Sequence, residues 1–237
     1  MTPLAVRRLE KRYGGIAALA GCSFEIPGPG IYGLIGPNGA GKTTLFDVIA
    51  GATAPDGGDV ILADTRVTGF APHTLARLGI ARSFQECRVF PEYSCLENLC
   101  FSRLALGHRV SDDDRREARR LLELVGLAAY ADEAAASLSF GQRRLLEIVG
   151  TFLQRPRVLL LDEPAAGVNP ALLEILGRFI LRMYDERPSV CLIIEHNMEF
   201  IMGLAREIVV LHQGAVLERG TPDIIQASAR VIEAYLG

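Results

Sequence analysis

A glycine-rich octapeptide fits the pattern G-x-x-x-x-G-K-[ST]. Its residues are Gly36, Pro37, Asn38, Gly39, Ala40, Gly41, Lys42 and Thr43. In such a loop the glycines let backbone N–H groups wrap around phosphate oxygens, and the lysine neutralises the phosphate charge. The Thr43 hydroxyl is a suitable ligand for Mg²⁺, and the N-terminus of a helix starting here adds a favourable dipole. The octapeptide therefore predicts a site for the phosphates of a nucleotide.

Two adjacent carboxylates, Asp162 and Glu163, follow the apolar run 158–161. Such a run is too short for a helix and is typical of a buried parallel strand, and open α/β sheets bind ligands at the carboxyl ends of their strands. Asp162 can hold Mg²⁺ directly or through water. Glu163 can orient an attacking water molecule and accept its proton. Together with the octapeptide, this pair predicts phosphoryl-transfer chemistry.

The elements that must position these residues alternate between strand and helix, which indicates an α/β fold with a parallel sheet. Strands are predicted at residues 4–9, 22–26, 31–35, 59–62, 80–84, 158–161, 190–194 and 208–211. Helices are predicted at residues 43–50, 95–104, 112–125, from 141 to about 154, 170–184, 197–205 and 229–236. We therefore expect one domain, 1–237, in which 1–86 and 139–237 form the core and 87–138 is a helical insertion.

The composition excludes several classes of protein. With 25 basic and 28 acidic residues the net charge is −3, which argues against holding nucleic acid by bulk electrostatics. Five cysteines without paired spacing support neither a disulfide framework nor a zinc ribbon. We expect no membrane span, because the longest uncharged stretch, 26–41, is too short and is broken by three prolines and six glycines. We expect no signal peptide, because charged residues crowd the N-terminal segment from Arg7 onwards. These features predict a cytoplasmic protein.

The segment 138–142, Leu-Ser-Phe-Gly-Gln, together with the motifs above, resembles the ATP-binding subunits of ABC transporters, and the likeness covers nearly the whole chain. The resemblance implies an ABC-type P-loop fold with a parallel-sheet core, an N-terminal antiparallel β subdomain and a helical insertion. It implies ATP and Mg²⁺ as ligands, with the phosphates held by the octapeptide and Thr44. It also implies a signature motif that meets the γ-phosphate bound by the opposite subunit, formed by Ser139, Phe140, Gly141 and Gln142.

The resemblance assigns roles to further single residues. It implies that Glu163, His196 and Gln85 are catalytic, with His196 bonding the γ-phosphate and Gln85 relaying the nucleotide state towards a membrane partner. Tyr13 matches the aromatic residue that stacks on adenine. Asn169 lies in the D-loop, where most of these ATPases carry aspartate. The magnesium ligands implied in this way are Thr43, Gln85 and Asp162.

Four stretches, 78–85, 166–170, 194–198 and 234–237, resemble the subfamily that serves branched-chain amino acid importers. This likeness implies an ATP-hydrolysing subunit that energises solute import and lies on the inner face of the cell membrane. The implied partners are polytopic permease subunits and a second ATPase subunit, either the same chain or a paralogue, in a sandwich dimer. A solute-binding protein belongs to the implied assembly without direct contact, and no nucleic acid partner is expected.

Other functions remain open alternatives. ATPases of urea or amide import and of lipopolysaccharide export share several of these motifs. A soluble ABC ATPase acting in translation or on DNA usually resembles tandem cassettes or carries a coiled-coil insertion, whereas this chain has one P-loop, one signature motif and no basic tail. A GTPase or small-molecule kinase would leave the signature motif and His196 unexplained, and no Asn-Lys-x-Asp motif occurs.

Overall fold

The computed structural model describes residues 3–236. Met1, Thr2 and Gly237, which belong to the predicted domain 1–237, lie outside the described residues. The strands are β1 (Leu4–Tyr13), β2 (Ile16–Ile26), β3 (Gly30–Ile35), β4 (Gly57–Leu62), β5 (Thr65–Arg66), β6 (Ile80–Arg82), β7 (Val158–Asp162), β8 (Val190–Ile194), β9 (Glu207–His212) and β10 (Ala215–Gly220). The helices are α1 (Lys42–Ile49), α2 (Pro72–Leu78), α3 (Cys95–Leu104), α4 (Asp112–Leu124), α5 (Phe140–Leu153), α6 (Pro170–Glu186), α7 (Met198–Leu204), α8 (Pro222–Ala227) and α9 (Ala229–Leu236).

A six-stranded sheet in the order β10-β9-β3-β8-β7-β6 forms the centre of the fold. All neighbours pair in parallel except β10, which is antiparallel to β9. β3, β7 and β8 are buried along their whole length because helices cover the sheet, as the continuous apolar runs predict. β8 lies between β3 and β7, so the segments that follow these three strands meet at one edge of the sheet.

A second, antiparallel sheet has the order β2-β1-β4-β5. Its apolar face shares one core cluster with α1 and with the parallel sheet; Leu9, Phe24, Phe46 and Leu160 are among its members. The predicted α/β class, with a parallel core and an N-terminal antiparallel β subdomain, is therefore confirmed.

The segment 87–138 is mainly helical. Each of α3 and α4 begins with a capping box, in which a serine side chain accepts the N3 backbone N–H and the N3 carboxylate accepts the serine N–H. Their apolar faces pack with α5; Leu99, Leu121 and Leu145 lie in this core and are at most 1% exposed. The division of the chain into a core and a helical subdomain stays a prediction.

The structure differs from the sequence predictions at several elements. The predicted strand 80–84 ends at Arg82, because the N–H of Phe84 donates to the Glu147 carboxylate instead of a strand neighbour. α5 already begins at Phe140, with Ser139 as its N-cap. The sequence analysis missed four short elements, β5, α2, β10 and α8. Within residues 3–236 no helix is both long and apolar enough to cross a bilayer.

Candidate functional site

The octapeptide forms the turn between β3 and α1, and two of its glycines are required there. Gly36 and Gly41 have φ values of 149° and 99°. A Cβ atom at Gly36 would collide with the Leu211 carbonyl oxygen, and one at Gly41 would collide with the Ala18 carbonyl oxygen. The loop is thus pressed against β9 on one side and β2 on the other, with a backbone conformation that favours glycine.

A cavity of about 310 Å³ opens beside this loop. Its lining consists of Ile16, Ala18, Asn38, Gly39, Ala40, Gly41, Lys42, Thr43, Thr44, Glu163 and His196. Gly41 is the N-cap of α1, and no side chain caps this helix. Since the first N–H groups of a helix have no partner within it, the start of α1 offers free donors and a positive dipole end to an anion.

Lys42 points its ammonium group back onto the loop. Its Nζ donates to the carbonyl oxygens of Gly36 and Pro37 at 2.7 and 3.0 Å, and the residue is 7% exposed. Burial lowers the pKa of Lys42, while the negative charges of Glu163 and Asp162 oppose this effect. The ammonium group therefore lies within electrostatic range of both carboxylates, in the loop predicted to bind phosphate.

Glu163 and His196 meet across the cavity. His196 Nε2 lies 3.2 Å from Glu163 Oε1, and both side chains are partly exposed. Glu163 has a φ of 47°, a conformation that costs a non-glycine residue about 1–2 kcal/mol. Its N–H donates to the Ile194 carbonyl oxygen at 2.9 Å, which ties the end of β7 to the end of β8. A carboxylate and an imidazole are thus held together where water can approach them.

Asp162, one residue earlier, is 1% exposed and forms a buried ion pair. Its Oδ2 accepts from Arg82 Nη2 at 3.0 Å, while Arg82 Nη1 donates to Asp47 Oδ1 at 2.5 Å. The Asp162 N–H donates to Ser83 Oγ. Burial raises the pKa of the Asp162 carboxyl, and the Arg82 guanidinium opposes that rise. The sequence analysis gave Arg82 no role, although a cation in a buried strand is a signal of a charged partner.

Arg144 is a second buried cation that the sequence analysis did not identify. It is 1% exposed, and its Nη2 donates to the carbonyl oxygens of Asp162 and Glu163 at 2.6 and 3.1 Å. Its Nη1 donates to the Phe84 carbonyl oxygen and to Glu147 Oε2. Since Arg144 belongs to α5, this side chain joins the helix that begins at Ser139 to the strand end that carries the two carboxylates.

Glu195 is also buried, at 3% exposed, and accepts three backbone N–H groups. Its Oε1 accepts from Ala165 at 2.6 Å, and its Oε2 accepts from His196 and Asn197 at 2.9 and 3.1 Å. Burial raises the pKa of Glu195, and the three N–H donors oppose this shift. Glu195 therefore fixes the backbone of His196 relative to the segment after Glu163. The sequence analysis gave Glu195 no role, although a carboxylate directly after an apolar strand is a signal of a functional residue.

Tyr13 and Gln85 are among the predicted site residues that do not line the cavity. Tyr13 is 50% exposed at the end of β1, and its ring faces the Lys11 ammonium group at 5.5 Å. From the same hairpin, Ile16, which is 74% exposed, and Ala18 line the cavity. Gln85 is exposed three residues beyond the end of β6 and does not line the cavity either.

The segment 138–142 forms the start of α5, outside the cavity. Ser139 Oγ accepts the Gln142 N–H, and Gln142 Oε1 accepts the Ser139 N–H. Gly141 is buried against α6, because a Cβ there would lie 2.8 Å from Leu172 Cδ1. The Phe140 ring is 51% exposed and packs on Gly167, where a Cβ atom would lie 2.5 Å from the ring.

Asn169 begins α6 as its N-cap. Its Oδ1 accepts the Leu172 N–H at 3.0 Å, and Pro170 occupies the first helical position. The side-chain oxygen of Asn169 therefore provides the acceptor that the start of α6 requires, a role that an aspartate would fill equally well.

A groove of about 210 Å³ lies between the parallel sheet and the helical segment. Its lining includes Arg82, Phe84, Arg88, Phe90, Phe101 and Glu147. Phe90 packs edge-to-face on Phe101 at 5.2 Å between ring centroids and is still 55% exposed. We call this feature the aromatic groove. It starts at the segment that carries Gln85 and shares Arg82 with the carboxylate site.

Comparison with known proteins identifies close relatives of this chain. A sequence model of the ABC transporter family matches residues 19–166. Two relatives are high-affinity branched-chain amino acid transport ATP-binding proteins. The chain is 38% identical to one of them, BraF of Pseudomonas aeruginosa, and 37% identical to the other, LivG of Escherichia coli. Both alignments cover 99% of this chain and 97% of the relative. It is 33% identical to the Escherichia coli lipopolysaccharide export system ATP-binding protein LptB over 100% of this chain and 98% of that protein.

Solved structures share the same fold. The nucleotide-free ATP-binding cassette of an ABC transporter aligns with a TM-score of 0.90 and 28% identity over 100% of both chains. The ADP conformation of MJ1267, also an ATP-binding cassette of an ABC transporter, aligns with the same TM-score and identity over 100% of this chain and 99% of that chain.

Proposed function

Because the chain belongs to the ABC transporter family, we propose that it is the ATP-hydrolysing subunit of an amino acid importer and drives separate membrane-spanning subunits. The convergence of the P-loop, Glu163 and His196 on one cavity supports the proposed chemistry. Similarity to branched-chain amino acid transport ATP-binding proteins over nearly the whole chain supports the proposed solute.

In the proposed reaction, the loop and the start of α1 hold the phosphates of ATP. Lys42 and the free N–H groups of the first helical turn stabilise the negative charge that moves to the leaving group. Glu163 orients the attacking water molecule and accepts its proton, and His196 donates a hydrogen bond to the γ-phosphate while holding Glu163. The contact of 3.2 Å between these two side chains supports a shared role.

The residues of the site also fit Mg²⁺, which would supply charge neutralisation and orientation of the phosphates. Mg²⁺ prefers oxygen ligands and takes few of them from the protein, since phosphates and water supply the others. Thr43 lines the cavity, and Asp162 directly precedes Glu163, which lines it as well. We propose Thr43 and Asp162 as the protein ligands, with Gln85 joining when its exposed segment moves.

The start of α5 supports a site completed by a second subunit. Ser139, Gly141 and Gln142 lie outside the cavity of their own chain, on an exposed helix N-terminus. In a sandwich of two copies, or of this chain and a paralogue, that end of one subunit meets the γ-phosphate held by the other. ATP then joins the two subunits, and hydrolysis releases them.

The aromatic groove is the proposed contact for a membrane-spanning partner. It is lined by Phe84, Phe90 and Phe101, of which Phe90 is exposed, and it borders the segment of Gln85. Aromatic side chains are enriched at protein interfaces. Arg82 lines the groove and contacts the Asp162 side chain, and Arg144 links the groove residue Glu147 to the Asp162 carbonyl oxygen. We therefore place the protein at the inner face of the membrane, bound through its partners.

The experiment that tests this function is purification of the tagged chain from gently solubilised membranes, followed by identification of bound subunits and solute uptake in cells lacking the gene. Two polytopic subunits and loss of branched-chain amino acid uptake are the expected results. Recovery with lipopolysaccharide export components would favour the export alternative, which the 33% identity to LptB supports. Recovery only as a soluble protein would contradict transport while leaving the ATPase chemistry intact.

A further inference from the structure

Arg82 is the cation in direct contact with the Asp162 carboxylate. Its side chain is 9% exposed, and its two terminal nitrogens each bind one carboxylate, Asp47 at 2.5 Å and Asp162 at 3.0 Å. Two aromatic rings, those of Phe46 and Phe84, lie within 6 Å of the guanidinium. The group is therefore held in place by charge and by packing, and the two acids share its single positive charge.

The contact with Asp162 engages only one of its carboxylate oxygens. Arg82 reaches Oδ2 with Nη2, whereas Arg82 Nε is buried without a hydrogen-bond partner in the described part of the chain. The pair is thus a single hydrogen bond rather than the two-point contact that makes arginine–carboxylate pairs strong. Oδ1 of Asp162 accepts no hydrogen bond from residues 3–236.

A buried carboxylate without a counter-cation is costly, so a group that neutralises it stabilises the fold. A divalent ion held by Asp162 would lie within a few ångströms of the guanidinium, and two cations at such a distance repel each other. Arg82 therefore has two effects on the same site. It neutralises Asp162 when the metal is absent, and it weakens the attraction of that carboxylate for the metal.

We propose that Arg82 is a positioning residue that acts as the built-in counter-cation of Asp162 and sets the affinity of the site for Mg²⁺ by competing for that carboxylate. The inference rests on the proposed assignment of Asp162 as a magnesium ligand. A lower affinity for Mg²⁺ favours release of the metal with the product nucleotide, whereas removal of Arg82 raises this affinity and slows the release.

The chain offers a matched control for this idea. Arg88 lines the same groove, and its guanidinium stacks on the same Phe84 ring at 3.6 Å. Within residues 3–236 it forms no ion pair with a carboxylate. Arg88→Met therefore removes an arginine and a ring contact from the same place without changing the charge next to Asp162, while Arg82→Lys keeps the charge but loses the planar group.

The test measures metal binding in the isolated full chain with a non-hydrolysable ATP analogue. Mn²⁺ binding is followed by electron paramagnetic resonance, and the thermal unfolding midpoint is followed across a Mg²⁺ titration. For Arg82→Met we expect a lower midpoint without metal and half-saturation at a metal concentration at least about tenfold lower than in the wild type. Arg82→Lys should stay near the wild type, and Arg88→Met should match it.

Equal or weaker metal binding by Arg82→Met would overturn the proposal. If Arg82→Met does not fold, Arg82→Gln takes its place, because its shorter amide keeps a donor near Asp162 without the charge; metal binding no tighter than in the wild type overturns the proposal in that case too. If the wild type itself shows no response to analogue and metal, the proposed nucleotide site fails instead, so the two failures are distinguishable.

Discussion

Two helix N-termini of this molecule are predicted to meet phosphate, and the structure builds them in opposite ways. The N-cap of α1 is a glycine, and no side chain caps the helix. Its N-terminus lies at a cavity that Glu163 and His196 of the same chain also line. α5 starts at an exposed serine, which satisfies the helix start through a capping box with Gln142. One helix end has free donors inside a prepared site, and the other is stable by itself on the surface.

The difference agrees with the proposal that one chain holds the ligand and a second chain completes the site. At α1 no side chain caps the first backbone donors, and close contacts of Gly36 and Gly41 with neighbouring strands fix the path of the loop. At α5 the cap makes the helix independent of any ligand, so it can be presented to another molecule. We therefore expect changes at α1 to act on binding by one chain and changes at α5 to act on turnover by the pair.

The largest effect is expected for Glu163→Gln, on the α1 side. The amide cannot accept the proton of the attacking water molecule, so ATP turnover should fall by about 10²–10⁴-fold, the range of general base catalysis. ATP binding should persist, and size-exclusion chromatography with ATP should show a dimer, because the start of α5 still meets the bound phosphate. Unchanged turnover would contradict the role of Glu163.

Lys42→Met tests whether ATP binding by one chain depends on the start of α1 and not on the start of α5. Loss of the ammonium group removes charge-assisted hydrogen bonds to phosphate, and we expect ATP affinity of the isolated chain to fall by about 10–100-fold. The matched variant at the other end, Ser139→Arg, should leave that affinity unchanged when measured with a fluorescent ATP analogue on dilute protein. Loss of affinity in both variants would mean that α5 already contributes within one chain.

Mixing these two inactive variants tests whether the site is shared. A heterodimer of Lys42→Met and Ser139→Arg chains contains one site with an intact loop and an intact signature segment. With random pairing, half of the dimers are mixed, and each mixed dimer has one intact site out of two. Turnover should therefore recover to about a quarter of the wild-type rate. A mixture as inactive as its components would break the comparison, since each chain would then carry its own complete site.

Ser139→Ala measures what the cap of α5 contributes to folding. Loss of the acceptor for the Gln142 N–H should lower the free energy of unfolding by about 1 kcal/mol, as for other serine N-caps. Urea denaturation measures this value. Thr43→Ala is the control at α1, where no side chain caps the helix, and it should change stability less. A larger loss at Thr43 would contradict the contrast between the two ends.

The smallest effect is expected at the adenine side of the cavity. If Tyr13 stacks on the base, Tyr13→Ala should weaken ATP binding by about tenfold at most, the value of one aromatic contact. Ile16 lines the cavity, whereas Tyr13 does not. The affinity of both variants is measured with the same fluorescent ATP analogue. If Ile16→Ala loses more affinity than Tyr13→Ala, the adenine contact belongs to Ile16.

Local sequence patterns predicted most of the helices and the strands of the parallel core. They placed the second strand at 22–26, whereas β2 begins at Ile16 and includes the cavity residues Ile16 and Ala18. α3, β8 and α9 have the predicted bounds, and Ser111 is the N-cap of α4. These features depend on capping residues and on apolar periodicity over one segment. The elements that were missed altogether are short, such as β5 and α8, whose two and six residues are too few to show a period. Roles assigned to Gln85 and Tyr13 stay predictions, because both residues lie outside the cavity.

The sequence by itself determined that a glycine-rich loop lies between a strand and a helix, and that Asp162 and Glu163 lie at the end of a buried strand. Only the tertiary structure decided their partners. The order β3-β8-β7 brings His196 to Glu163, and packing of distant segments brings Arg82 to Asp162 and Arg144 to the backbone after it. The physical reason is distance along the chain. Propensity and periodicity act between near neighbours, whereas the pair of Arg82 and Asp162, 80 residues apart, forms only when the sheet has assembled.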